Sequence, residues 1–67
     1  MLRLRYERKS RKLKQRHVAA AVDVPASHYC FFENRRMTPT SAQLQRLADF
    51  FQVPPDDLFR EVVLVSR

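Results

Sequence analysis

Sixty-seven residues allow one small domain, spanning residues 1–67. A chain of that length buries only about 60% of its unfolded surface, so marginal stability is expected. Thirteen Lys and Arg against seven Asp and Glu leave +6, and a hydrophobic share of 45% with five Phe and two Tyr suffices for a core. The single cysteine, Cys30, excludes an internal disulfide and fits a reducing cytoplasm. Glycine is absent altogether, which excludes a P-loop or a GxGxxG cradle and leans toward an all-helical fold. No apolar run approaches twenty residues and no signal-peptide pattern opens the chain, so neither a membrane span nor export is expected.

In chain order, Leu2 to about Lys12 holds strong helix formers without a breaker and reads as a first helix. Gln15 to Val22 is a short Ala-rich helix with Val18 and Val22 at i and i+4. Pro25 cannot sit inside a helix but suits a first turn, so a third helix is expected from about Pro25 to Glu33. Asn34 to Pro39 reads as a loop. Thr40 and Gln43 then form the capping-box pattern and open the clearest helix, with Leu44, Leu47, Ala48 and Phe51 at helical spacing. Pro54-Pro55-Asp56-Asp57 stops it and starts a fifth helix, its acids placed where the helix dipole favours negative charge. The tail 61–67, rich in Val, either extends that helix or forms a short strand.

The excess charge is concentrated. Met1 to Arg16 holds eight basic residues and one acid, Glu7, whereas the remainder of the chain is nearly neutral. Such a block meets nucleic-acid phosphate by electrostatics, or is simply a solvated helix face. Leu2, Leu4, Tyr6 and Leu13 are too sparse to make the apolar face that lipid would require.

A helix-turn-helix needs two short helices crossing over a tight turn, with a small residue at the contact and apolar residues around it. From Gln15 the chain supplies Ala19 at the contact, Val18 and Val22 toward the core, Asp23 at the turn, and Val24, Tyr29 and Phe32 closing the second helix onto the first. Over residues 2 to 59 the chain resembles the phage repressor and Cro family of lambda-repressor-like, XRE-type helix-turn-helix proteins. The matching stretches are Leu13-Lys14-Gln15, Val18-Ala19, Val22-Asp23-Val24, Phe32-Glu33-Asn34-Arg35-Arg36 with Pro39, Leu44, Leu47-Ala48, Phe51-Gln52-Val53 and Asp56-Asp57-Leu58.

The resemblance implies a compact five-helix domain that binds double-stranded DNA, with the helix 25–33 in the major groove. Gln15 would contact phosphate, next to the basic Lys14 and Arg16, and Asn34, Arg35 and Arg36 would grip phosphate in the turn that follows. Arg8 and Glu33 match a structural ion pair that touches no base. Base readout falls to Ala26, Ser27, His28, Cys30 and Phe31. That face departs from the usual long polar side chains: only Ser27 and His28 offer polar groups, while Ala26 and Phe31 suit thymine methyls. Phe31 reads equally well as a core or protein-interface residue. The family commonly places glycine at four joints, held here by Lys12, Asp23, Arg35 and Gln52; a positive φ at the three other than Asp23 would cost about 1 kcal/mol each.

His17, His28 and Cys30 show no metal-ligand spacing, Cys30 has no general-base partner, and Asp56-Asp57 is explained by capping, so neither an enzyme nor a cofactor is expected. The sequence points to a transcriptional regulator, a repressor by preference, that binds its operator as a homodimer through its end, with Phe50, Phe59, Val62, Leu64 and Val65 as interface candidates. Phe59 and Leu58 serve as well to complete the monomer core. The other reading is an antitoxin-like or anti-repressor-like module that keeps the fold, has lost base reading and docks a protein partner. The chain is too short to add a sensor domain, so control is expected from concentration, dimerisation or a partner.

Overall fold

The computed structural model describes residues 1–63. Among them are four α-helices and one short 3₁₀ turn: α1 Arg3–Ser10, α2 Gln15–Ala21, α3 Ala26–Glu33, α4 Ser41–Phe51, then Pro55–Asp57. The expected fifth helix is therefore corrected to a single 3₁₀ turn. Beyond that turn the chain pairs with the start of α1 instead of continuing as helix: Leu4 N–H donates to Leu58 O (2.9 Å) and Arg3 N–H to Arg60 O (2.8 Å). Those bonds satisfy the first-turn donors of α1, which has no side-chain cap. Leu2 then pairs with Glu61 in an isolated antiparallel bridge, and Val62 N–H donates to Met1 O at 2.7 Å. Within the described residues the tail is thus neither a helical extension nor a strand of a sheet.

The other elements follow their local chemistry. Pro25 stands just before α3 rather than in it, with extended backbone suited to opening a helix. Thr40 accepts from Gln43 N–H (3.2 Å) while Gln43 Oε1 accepts from Thr40 N–H (2.9 Å), the reciprocal capping box.

All four helices end through a residue in the left-handed region: Lys12 (φ 57°), Asp23 (57°), Arg35 (59°) and Gln52 (58°). At the first three the chain closes with paired reverse bonds, as where Leu13 N–H reaches Arg8 O and Lys12 N–H reaches Lys9 O. Glycine takes the left-handed conformation without strain; here the chain adopts it four times without one. Arginines from neighbouring segments add donors to these ends. Arg11 donates to Phe51 O (3.0 Å) and Arg46 to Val22 O (2.8 Å), where the negative end of a helix dipole favours a cation.

One core unites the elements. Leu4 of α1, Val18 of α2, Tyr29 and Phe32 of α3, Leu47 and Phe51 of α4 and Leu58 are all essentially solvent-free. Ala19 is buried between α2 and α3, where a small residue lets the two helices approach. The Tyr29 hydroxyl is buried without a hydrogen-bond partner, near enough to Glu33 to feel its charge. Burial, reinforced by that carboxylate, raises its pKa well above the usual tyrosine range. An unsatisfied buried hydroxyl is a liability of about 1–3 kcal/mol. Tyr29→Phe is therefore expected to leave thermal stability unchanged or raise it, and a fall in melting temperature would reveal a hydrogen bond in solution.

Candidate nucleic-acid interface

The α2–α3 pair is the scaffold, and what it presents outward decides its use. Tyr29 and Phe32 point inward, which turns the opposite side of α3 to solvent. Ala26 and Ser27 are exposed, His28 and Cys30 half-buried, and Phe31 keeps 38% of its surface open. Phe31 therefore lies outside the core cluster.

The turn after α3 is exposed from Asn34 to Arg36. Asn34 has both ends of its amide engaged: Nδ2 donates to Cys30 Sγ (3.4 Å) and Oδ1 accepts from Arg5 (3.1 Å). Arg35 donates to Glu61 Oε2 at 2.8 Å in a pair that stays more than half exposed on both sides. The Arg36 side chain is exposed and makes no hydrogen bond or ion pair to the described residues, and the same holds for the side chains of Lys14 and Arg16 at the start of α2. Gln15 behaves differently. Its side chain is half-buried and donates to Glu33 Oε1 at 3.0 Å, so its amide faces the protein interior.

Arg8 and Glu33 come together. The Glu33 side chain is wholly buried and receives Arg8 Nε on Oε2 (2.6 Å) and Arg8 Nη2 on Oε1 (3.0 Å), a bidentate pair. Arg5 adds a longer contact at 3.5 Å. Burial alone would raise the Glu33 pKa, but the hydrogen bonds and charge of Arg8 outweigh it and hold the carboxyl below its usual value. The Arg8 guanidinium is correspondingly raised, chiefly by its bond to Glu33. This pair ties α1 to the last residue of α3 and so sets where the exposed face of α3 points.

Glu7 is a second buried carboxylate that the sequence reading missed. Arg3 and Arg11 both reach it at 2.6 Å, one turn before and one turn after it on α1. The Arg-x₃-Glu-x₃-Arg spacing was the available signal, since i, i+4 positions are neighbours on a helix surface. Desolvation opposes ionisation, but the two arginines prevail and lower its pKa.

The basic block at the start of the chain therefore means something other than its composition suggested. Arg3, Arg5, Arg8 and Arg11 are engaged with Glu7, Glu33, Asn34 or helix-end carbonyls. The exposed remainder is Lys9, Lys12, Lys14 and Arg16. Among the described residues no three His, Cys, Asp or Glu side chains gather as metal ligands would, and no helix is long and apolar enough to cross a membrane.

Of the interface candidates toward the end of the chain, Phe50 is 38% exposed and stacks edge-on with buried Phe51, their centroids 4.9 Å apart. Phe59 is partly buried against the core, and Val62 is half-buried. Leu64 and Val65 lie outside the described residues.

No curated protein matches the chain. A family model described as helix-turn-helix matches residues 4–58, from the first helix through the residue after the 3₁₀ turn. That match covers most of the chain, together with the α2–α3 pair and its outward face. The chain belongs to the XRE-type, lambda-repressor-like helix-turn-helix family of DNA-binding transcription regulators.

Proposed function

We propose that this protein is a sequence-specific double-stranded DNA-binding repressor that occupies its operator as a homodimer, with α3 in the major groove. The observation that carries this reading is the exposed side of α3, held in place by the buried Arg8–Glu33 pair, with solvated cations before and after it. Lys14 and Arg16 stand at the start of α2, and Arg35 and Arg36 follow α3. These four, with the backbone of the turn after α3, would position the protein on phosphate; Ala26, Ser27, His28, Cys30 and Phe31 would meet base edges. Gln15 is assigned a smaller part than the resemblance implied, because Glu33 already holds its amide.

Two-fold pairing is inferred from geometry and surface. One such helix reads only a few base pairs, and a dimer places two of them about 34–36 Å apart, one turn of DNA. Phe50 supplies exposed aromatic surface for the contact, with Val62 beside the chain end. Sedimentation of wild type and Phe50→Asp would show the dimer and its loss.

A mobility-shift titration with random duplex tests the main reading. With about six to ten phosphate contacts, affinity should fall about 10³–10⁵-fold between 50 and 200 mM salt. Arg35→Ala with Arg36→Ala should weaken binding to every duplex alike and reduce the salt slope by about one for each arginine removed. Absence of binding even at low salt would overturn the proposal. It would favour the other reading, a protein-docking module, which draws its support from the exposed rings of Phe31 and Phe50.

A further inference from the structure

On the proposed DNA-binding reading, we infer that the exposed face of α3 recognises C5-methyl groups in the major groove. Its preferred DNA is a half-site that sets thymine, or 5-methylcytosine, against Phe31.

Reading a base edge by paired hydrogen bonds needs Arg, Lys, Asn or Gln, and none stands among residues 26–31. Of the long polar groups that follow the helix, Arg36 is assigned to phosphate and the other two are engaged. Asn34 is held at both ends by Cys30 and Arg5, and Arg35 leans to Glu61. Cys30 Sγ already accepts a hydrogen bond and is half-buried. Ser27 and the half-buried His28 are the polar readers that remain.

What the face does offer is apolar. Tyr29 and Phe32 of the same helix are fully buried, yet Phe31 keeps 38% of its residue surface in water, with Ala26 exposed in the first turn. In the major groove, thymine presents a C5-methyl group beside its O4 acceptor, whereas cytosine presents an N4 donor with no methyl. A ring with no donor or acceptor gains by covering the methyl. Against an unmethylated edge it displaces water from a polar group and returns nothing. Discrimination therefore arises from two sources: reward for a methyl and penalty for a bare polar edge. Adding a methyl to cytosine restores the contact without altering its donor, which ranks thymine and 5-methylcytosine both above cytosine at that position.

The test uses a duplex recovered by repeated selection from a random-sequence pool. It is remade with deoxyuridine at each thymine in turn, which removes one methyl and leaves every donor and acceptor unchanged. Wild type should lose about fourfold in affinity at one or two thymines per half-site, the worth of one buried methyl-sized group, and nothing elsewhere. Cytosine at the sensitive position should likewise bind more weakly than thymine, and 5-methylcytosine should recover the part of the loss that the methyl carries. Phe31→Ala and, as a polar variant of similar length, Phe31→Gln should both erase the uridine effect, with folding verified by a wild-type melting temperature.

A uridine effect absent at every position, or undiminished in both variants, overturns the inference. Salt-sensitive binding to random duplex with no preferred sequence recovered overturns it too and leaves DNA binding standing. Binding to no duplex at low salt overturns the proposed function itself, and the inference with it.

Discussion

Glu33→Ala is expected to destabilise the protein by about 3–5 kcal/mol, because it strands the Arg8 guanidinium without its partner. The Arg8 side chain is only 11% exposed, so water cannot replace the lost carboxylate in full. A domain of this length has a total stability of about 3–10 kcal/mol. The variant should therefore lose from about a third to all of its stability, a fall of about 12–40 °C in melting temperature as read by circular dichroism. Arg8→Met combined with Glu33→Leu should regain most of the loss, since replacing both members of a buried pair is often neutral or better. A double variant no more stable than Glu33→Ala would instead show that Arg5 and Gln15 make Glu33 indispensable.

The same carboxylates set an acid limit. Glu33 and Glu7 both have folded-state pKa values below those of the unfolded chain, where glutamate titrates near about 4.3. Their contribution is fully present above that value and is lost as pH falls through the lower folded values. The melting temperature should hold from pH 7 to about 5 and drop below about 4. Glu33→Gln should start lower and show a shallower decline; an unchanged decline would place the acid sensitivity elsewhere.

The second large effect runs the other way. Lys12→Gly with Gln52→Gly is expected to stabilise by about 1–2 kcal/mol in total. A non-glycine residue in the left-handed region costs about 1–2 kcal/mol, and glycine's greater freedom in the unfolded chain returns about 0.5–1 of that. For a domain of this size, each kcal/mol is about 4–8 °C in melting temperature. Lys12 is the cleaner position because its side chain makes no polar contact to the described residues, whereas Gln52 gives up a bond to Asp49 O at 3.0 Å. Asp23→Gly should gain less, since Asp tolerates this conformation better than most residues. Arg35→Gly should stabilise similarly yet weaken binding to all duplexes, which would show a basic side chain retained at a strained joint for its charge. Melting temperatures that do not rise would mean that these helix ends are not strained.

How much of this was legible beforehand depended on how local the cause was. The Val18, Val22, Tyr29 and Phe32 spacing identified the α2–α3 pair, and Thr40 with Gln43 located the start of α4, because each depends on residues three or four apart. The four left-handed joints were marked through the family resemblance, and all four have positive φ. The end of the chain was not legible. Pro54 to Asp57 carries every local sign of a helix start, but the carbonyls that follow bond to Arg3 and Leu4, more than fifty residues away.

Phe31 shows the same division within a single helix. Its sequence position left it open between core, interface and DNA, because period alone cannot say how wide the buried stripe is; packing of the helices around α3 left it at the edge, partly in water.

The basic block marks the boundary most clearly. The sequence by itself determined that eight cations crowd the first sixteen residues, and that no glycine relieves the helix ends. Only the tertiary structure decided that Arg8 turns inward to the buried Glu33 of α3 and that Arg11 reaches the carbonyl end of α4, leaving Lys9, Lys12, Lys14 and Arg16 outside. Charge is a sum over residues and can be counted from the chain. Its use depends on which oxygens a guanidinium can reach, and those are brought within reach by folding.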